Sequence, residues 1–128
     1  MRKRLGRGFT PAAFAVLLAS LLSAEGTAQA QQPVAEITLR ADNFTFVPDQ
    51  VTVASGEVKI TLVNESWFIP HALAFEGGIV ERIERLEAGQ SAQLVLRAAS
   101  PGRYTFFCPV WGHRALGMVG TLVVGPPR

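Results

Sequence analysis

The stretch that decides the fold is Arg103–Val124, RYTFFCPVWGHRALGMVGTLVV. In its first half Tyr104, Phe106 and Cys108 come at every second position, so an extended chain puts them on one face. MVGTLVV at its end reads as the next strand. Between the two lies a loop in which Gly112 and Gly117 allow tight backbone turns. Cys108, His113 and Met118 follow the spacing C-x4-H-x4-M. They comprise the only cysteine of the chain, one of its two histidines and one of its two methionines. A strand ending in cysteine, a loop through histidine and a strand restarting at methionine present a sulfur, an imidazole and a thioether at one end of a strand pair.

The rest of the chain repeats the strand grammar. Ile37 and Leu39 alternate with polar neighbours. Phe44 and Phe46 do the same in DNFTFVPD, which Pro48-Asp49 closes as a turn. Val51 and Val53 share a face in QVTVASG, and Val58, Ile60 and Leu62 share one in EVKITLVN. His71, Leu73 and Phe75 align in HALAF, with Gly77-Gly78 as the next turn. QSAQLVLRA is another strand, turned by Ser100-Pro101-Gly102. Short strands with turn signals every 8–12 residues or so predict an all-β sandwich or barrel. Residues 79–87 fit two periods. Val80, Ile83 and Leu86 sit at helical spacing with Glu81 and Arg85 able to pair, while an extended reading with charges outward matches the neighbouring strands. The extended reading is preferred. No internal repeat or linker interrupts the pattern.

The first 30 residues read differently. Arg2, Lys3, Arg4 and Arg7 form a basic front, Ala12 to Leu22 is apolar, and Ala28-Gln29-Ala30 offers small residues for a peptidase. This predicts a cleaved secretory signal over residues 1–30, a single domain over residues 31–128, and a periplasmic or otherwise exported location. An uncleaved anchor is the competing reading, although the apolar stretch falls short of the roughly 20 residues of a comfortable span. No stable membrane span is expected in the mature chain. The leader holds four of the twelve Lys and Arg but only Glu25 of the ten acidic residues. The mature domain is therefore close to neutral, and a basic surface for nucleic acid is not supported.

A lone cysteine cannot form an internal disulfide, and a free thiol in an oxidising compartment is a liability. Taken singly, Cys108 reads as a small buried hydrophobe, Met118 as core, and either histidine as a hydrogen-bonded residue. Together they place the only cysteine and both histidines, His71 and His113, at strand ends. At one end of a sandwich, His71 can meet the Cys108–Met118 loop. Two imidazoles, a thiolate and a thioether form a soft donor set that suits copper. Zinc would recruit more cysteine or histidine, and calcium or magnesium would want oxygens.

On these residues the chain resembles the cupredoxins, the plastocyanin and azurin family of blue copper proteins. The likeness runs from NFTFVPDQVTVASGEVKITLVN through PHALAF to PGRYTFFCPVWGHRALGMVGTLVV. The ligand loop is most similar to rusticyanin-like and sulfocyanin-like members. The resemblance implies a Greek-key β-sandwich of about seven to eight strands and one type 1 copper ion. It makes His71, Cys108 and His113 the strong ligands and Met118 the weak axial one. It implies a one-electron carrier rather than an enzyme, monomeric, with redox partners docking near His113 and Trp111.

Several positions depart from the family pattern. Ala72 stands where members often have Asn or Ser, so a side-chain brace on the ligand loop is expected to be missing. Pro109 has no N–H to offer the sulfur, whereas the Val110 amide can reach it if the loop brings it close. Trp111 replaces a frequent proline, and Phe107 replaces a plastocyanin tyrosine. Around His113 the sequence offers Val110, Trp111, Ala115 and Leu116, with Trp67, Phe68 and Ile69 from the other loop. Arg114 is a candidate for steering an acidic partner. The competing function is a copper chaperone or buffer, but such sites favour methionine-rich ligation and the mature chain keeps only Met118. A multicopper enzyme would need further histidines, and both present here are already committed.

Overall fold

Alternating apolar and polar residues with many β-branched side chains commit most of this chain to strands. The computed structural model describes Gly26 and residues 34–127. The expected signal segment and its cleavage point therefore lie, Gly26 aside, outside the described residues. Nine strands follow in order: β1 Ala35–Asp42, β2 Thr45–Val47, β3 Gln50–Ala54, β4 Gly56–Asn64, β5 His71–Phe75, β6 Ile83–Leu86, β7 Ser91–Ala99, β8 Gly102–Phe107 and β9 Val119–Gly125. Among the described residues no helix is long and apolar enough to cross a membrane.

The strands form two sheets, ordered β2-β1-β4-β7 and β3-β9-β8-β5-β6. β1 runs parallel to β4, and β3 parallel to β9; the other neighbours are antiparallel. The all-β sandwich expected from sequence is what folds, with one strand beyond the upper expectation. Residues 79–87 carry a short strand, β6, and no helix. There the strand register wins, because Ile83 and Leu86 pair against β5.

The DNFTFVPD segment differs from its reading. Phe44 is not a strand partner of Phe46. Asn43 (φ 41°) and Phe44 (φ 64°) make the two-residue turn between β1 and β2, with Asp42 opposite Thr45. Positive φ at both central positions matches the right-handed twist of a tight hairpin, which is why Asn-Gly is the favoured pair there. An L-residue as bulky as phenylalanine is strained in this region by about 1–2 kcal/mol.

The core lies between the sheets. Leu39, Phe46, Val58, Ile60, Leu62 and Leu96 from one sheet meet Leu73, Phe75, Phe106, Leu122 and Val124 from the other, all buried. Burying each aliphatic side chain contributes roughly 1.5–3 kcal/mol. Phe106 is central: Phe46 and Phe75 meet its ring edge-on at 5.4 and 6.2 Å. Gly120 lies opposite Phe106 in the β8–β9 ladder. A Cβ there would come within 2.2 Å of the Phe106 ring and 2.6 Å of the Asp49 carbonyl, so the glycine is required by packing. With this ring fixed, β8 delivers Cys108 to one end of the sandwich.

Candidate metal centre

Cys108 is the first residue beyond β8 and Met118 the last before β9. Their backbones continue the β8–β9 ladder, with the Cys108 amide donating to the Met118 carbonyl at 3.1 Å. The loop they close is held by its own backbone. The His113 amide donates to Val110, and the His113 carbonyl accepts from Leu116 and Met118, each at 3.1 Å. Gly112 (φ 79°) and Gly117 (φ 97°) take the left-handed turns this requires. His71 opens β5, which pairs with β8 through Ala74 opposite Phe107. That pairing brings the imidazole of His71 beside the sulfur of Cys108.

The donor atoms of His71, Cys108 and His113 all lie within 4.8 Å of one another. His113 Nδ1 is 3.5 Å from Cys108 Sγ, and the two imidazole centroids are 5.2 Å apart. Metal bonds of about 2.0 Å to nitrogen and 2.3 Å to sulfur set donors of one ion roughly 3.5–4 Å apart. His71 and Cys108 are fully buried and His113 is 8% exposed. Neither ring nitrogen of His71 has a hydrogen-bond partner. A buried imidazole left wholly unpaired is costly, and an ion shared with Cys108 and His113 would give one of its two nitrogens a partner. The donor set therefore fits the single copper ion of a type 1 site. Met118 is fully buried, and its backbone bonds to those of Cys108 and His113.

Burial also acts on the protonation of these side chains. It lowers the His71 pKa, as does the neighbouring His113, against a weaker upward pull from Asp42. Burial lowers His113 as well, helped by Arg85. Burial raises the Cys108 thiol, opposed by hydrogen bonds from the amides of Ala72 and Val110. The Ala72 amide donates to the sulfur at 3.4 Å. Its neighbour Ala72 therefore serves the site through its backbone, which the sequence reading did not anticipate.

The brace expected to be missing is present in another form. Asn64, buried at the end of β4, uses every hydrogen-bonding position of its amide. Its Nδ2 donates to the carbonyls of Ile69 at 2.8 Å and Leu86 at 3.1 Å. Its Oδ1 accepts from the Ser66 amide at 3.0 Å. The Ser66 hydroxyl, with one proton, lies against both Asn64 Oδ1 and the Ile69 carbonyl and donates to one at a time. The segment leading to His71 is thus clamped from β4. Sequence reasoning missed Asn64, although the two-residue period through Val58, Ile60 and Leu62 puts it on the core face.

Arg114 is likewise not a free charge. It pairs with Glu76 and lies over the Phe107 ring, 4.3 Å from its centroid. Phe68 is exposed rather than core. Phe44, assigned above to the β1–β2 turn, lies edge-on against His113 with centroids 4.9 Å apart.

Comparison with known proteins agrees with this geometry. The chain is 30% identical over 103 residues to plastocyanin of Dryopteris crassirhizoma, covering 70% of this chain and 96% of that one. Its fold matches auracyanin of the photosynthetic bacterium Roseiflexus castenholzii at a TM-score of 0.68 and 22% identity, over 74% of this chain and all of that one. A copper nitrite reductase of Nitrosomonas europaea matches at a TM-score of 0.60 and 27% identity, over 73% of this chain but 42% of that one. Residues 12–124 match the family model of the cupredoxin-like domain, and with the plastocyanin likeness this shows that the chain belongs to the cupredoxin family.

Proposed function

We propose that this cupredoxin is an exported one-electron carrier that would hold a single type 1 copper through His71, Cys108 and His113, with Met118 as a fourth, weaker donor. The observation that carries the reading is the convergence of one buried thiol and two buried imidazoles, one of them with both nitrogens unpaired. When bound, copper supplies a one-electron couple. Everything else is the work of the chain. Cys108 contributes a thiolate, and the Ala72 amide draws negative charge from it, which favours the reduced state and raises the potential. The β8–β9 ladder and the Asn64 clamp hold the donors in place through a change of charge, so little rearrangement accompanies it. His113 alone reaches the surface, and its edge is the exit for the electron.

Around that edge the two loops expose Trp67 (94%), Phe68 (82%), Trp111 (95%) and Leu116 (64%). The charged residues of these loops are engaged internally: Glu65 with Arg40 at 3.1 Å, and Arg114 with Glu76. A redox partner docks here through apolar contact. The burial of His71 and Cys108 argues against a chaperone, whose ion must be open to a competing protein. A nitrite reductase would need histidines this chain does not have. Export rests on the sequence of residues 1–30.

The test is a Cu(II) titration of residues 31–128 followed by optical and electron-spin-resonance spectroscopy. The expected result is one equivalent bound, an intense absorption near the red end of the visible and reversible bleaching by a reductant. A colourless complex that gives its ion to a competing protein would overturn the carrier in favour of the chaperone.

A further inference from the structure

A metal-ligating imidazole is ordinarily oriented by a hydrogen bond from its second nitrogen to a carboxylate, a carbonyl or water. Among the described residues no carboxylate or carbonyl takes that part here. His71 has no hydrogen-bond partner on either nitrogen, and the hydrogen-bond contact of His113 is the one from Nδ1 to Cys108 Sγ, which a shared ion would replace. The two rings must be held by packing.

One aromatic side chain touches both. The Phe44 ring lies edge-on to His113, at 4.9 Å and 83°, and edge-on to His71, at 6.5 Å and 84°. The two imidazoles meet each other at 5.2 Å and 62°. Three rings from three elements form a closed triangle: the β1–β2 turn, the start of β5 and the β8–β9 loop. Edge-to-face contact at these separations is the favoured aromatic geometry. Phe44 also comes from the opposite sheet, so it references the histidines to the whole sandwich rather than to their own loops.

The backbone gives a second, independent observation. Phe44 occupies the second position of a turn in which both residues have positive φ. Glycine is the residue this position favours after asparagine. The sequence keeps Asn43 and places a strained phenylalanine after it. A strained residue that persists at a site is evidence of a role there. Phe44 also packs against the edge of the hydrophobic core, but a core contact alone would be met by a residue that does not strain the turn.

We propose that Phe44 is a positioning residue for both histidine ligands, its ring fixing by edge-to-face packing two imidazoles that no carboxylate or carbonyl among the described residues orients. The proposal rests on the copper reading above.

Two variants separate it from simple packing. Phe44→Gly relieves the turn and removes the ring, whereas Phe44→Leu keeps bulk and strain but loses the aromatic edge. A core change far from the site, Leu96→Ala, serves as the control for loss of stability. In the copper-loaded protein both Phe44 variants are expected to release copper to a chelator on the order of tenfold faster than the parent, with altered copper hyperfine splitting. Leu96→Ala should leave the splitting unchanged. In the metal-free protein, NMR should show the His71 and His113 carbon-bound protons broadened by ring motion in both Phe44 variants and sharp in Leu96→Ala. Parent-like release and splitting in both variants would overturn the proposal, as would release in Leu96→Ala as fast as in Phe44→Gly. Failure of the parent to bind copper would sink the electron-carrier reading instead. The metal-free NMR would still decide whether Phe44 fixes the imidazoles.

Discussion

Cys108 and the two histidines enter metal binding in different protonation states. Burial pushes the thiol up and both imidazoles down from their usual values. At pH 7.5 the imidazoles are already neutral and the thiol is still protonated. Binding Cu(II) therefore displaces the thiol proton alone, and an unbuffered titration should register about one proton released per ion. Falling pH works in one direction: it adds protons to the imidazoles only below their lowered values, so copper is retained further into acid than free histidine would allow. Two or more protons released at pH 7.5 would show that the imidazoles are charged. Met118 is tested separately. On the proposed reading the Met118 thioether would be a weak donor favouring Cu(II), so Met118→Leu should keep the visible colour and raise the potential, read by voltammetry. An unchanged potential and spectrum would remove Met118 from the ligand set.

At the level of elements, the site depends on how the segment before β5 is tied down. Asn64 joins the end of β4 to Ile69 and to Leu86 at the end of β6, and it anchors Ser66. Asn64→Ala takes the side-chain partner from the buried Ser66 amide and the Leu86 carbonyl and leaves the Ile69 carbonyl to the Ser66 hydroxyl, which should destabilise the domain by roughly 2–4 kcal/mol in denaturant unfolding. It should also broaden the electron-spin-resonance signal, because His71 follows the freed segment. Asn64→Asp is the sharper comparison: it keeps the acceptor for Ser66 but cannot donate to Ile69 and Leu86. If Asn64→Ala unfolds like the parent, the clamp has no energetic weight. The β8–β9 loop is closed by its own backbone hydrogen bonds.

For the molecule as a whole, residues 31–128 are close to neutral, and the charges nearest the proposed docking face, Arg114 with Glu76 and Glu65 with Arg40, are paired. Association at Trp67, Phe68, Trp111 and Leu116 should lack long-range steering. Its rate constant should stay on the order of 10^5–10^6 M⁻¹ s⁻¹ and should be nearly flat with ionic strength. Stopped-flow electron transfer with a small uncharged-surface redox protein measures this. A steep fall with added salt would mean that a charged patch elsewhere guides docking. Trp111→Ala should slow the same reaction without moving the copper spectrum, since the Trp111 side chain is 95% exposed.

The sequence by itself determined the sandwich and the three converging donors. A two-residue period leaves an apolar strand only one face to bury, and Cys108 and both histidines are the only residues of their kinds. Asn64 was also legible, because the period through Val58, Ile60 and Leu62 carries it onto the core face, but it was not read. Only the tertiary structure decided the rest. Phe44 alternates with Phe46 on paper, yet the left-handed turn at Asn43-Phe44 lifts it out of the strand and against the histidines. The Ala72 amide reaches the sulfur only because β5 pairs with β8. Arg114 loses its free charge to Glu76, 38 residues away. Local periodicity encodes which face is buried. Which backbone amide, ring or countercharge arrives at that face from another strand is set by pairing across the sandwich, which a linear pattern does not contain.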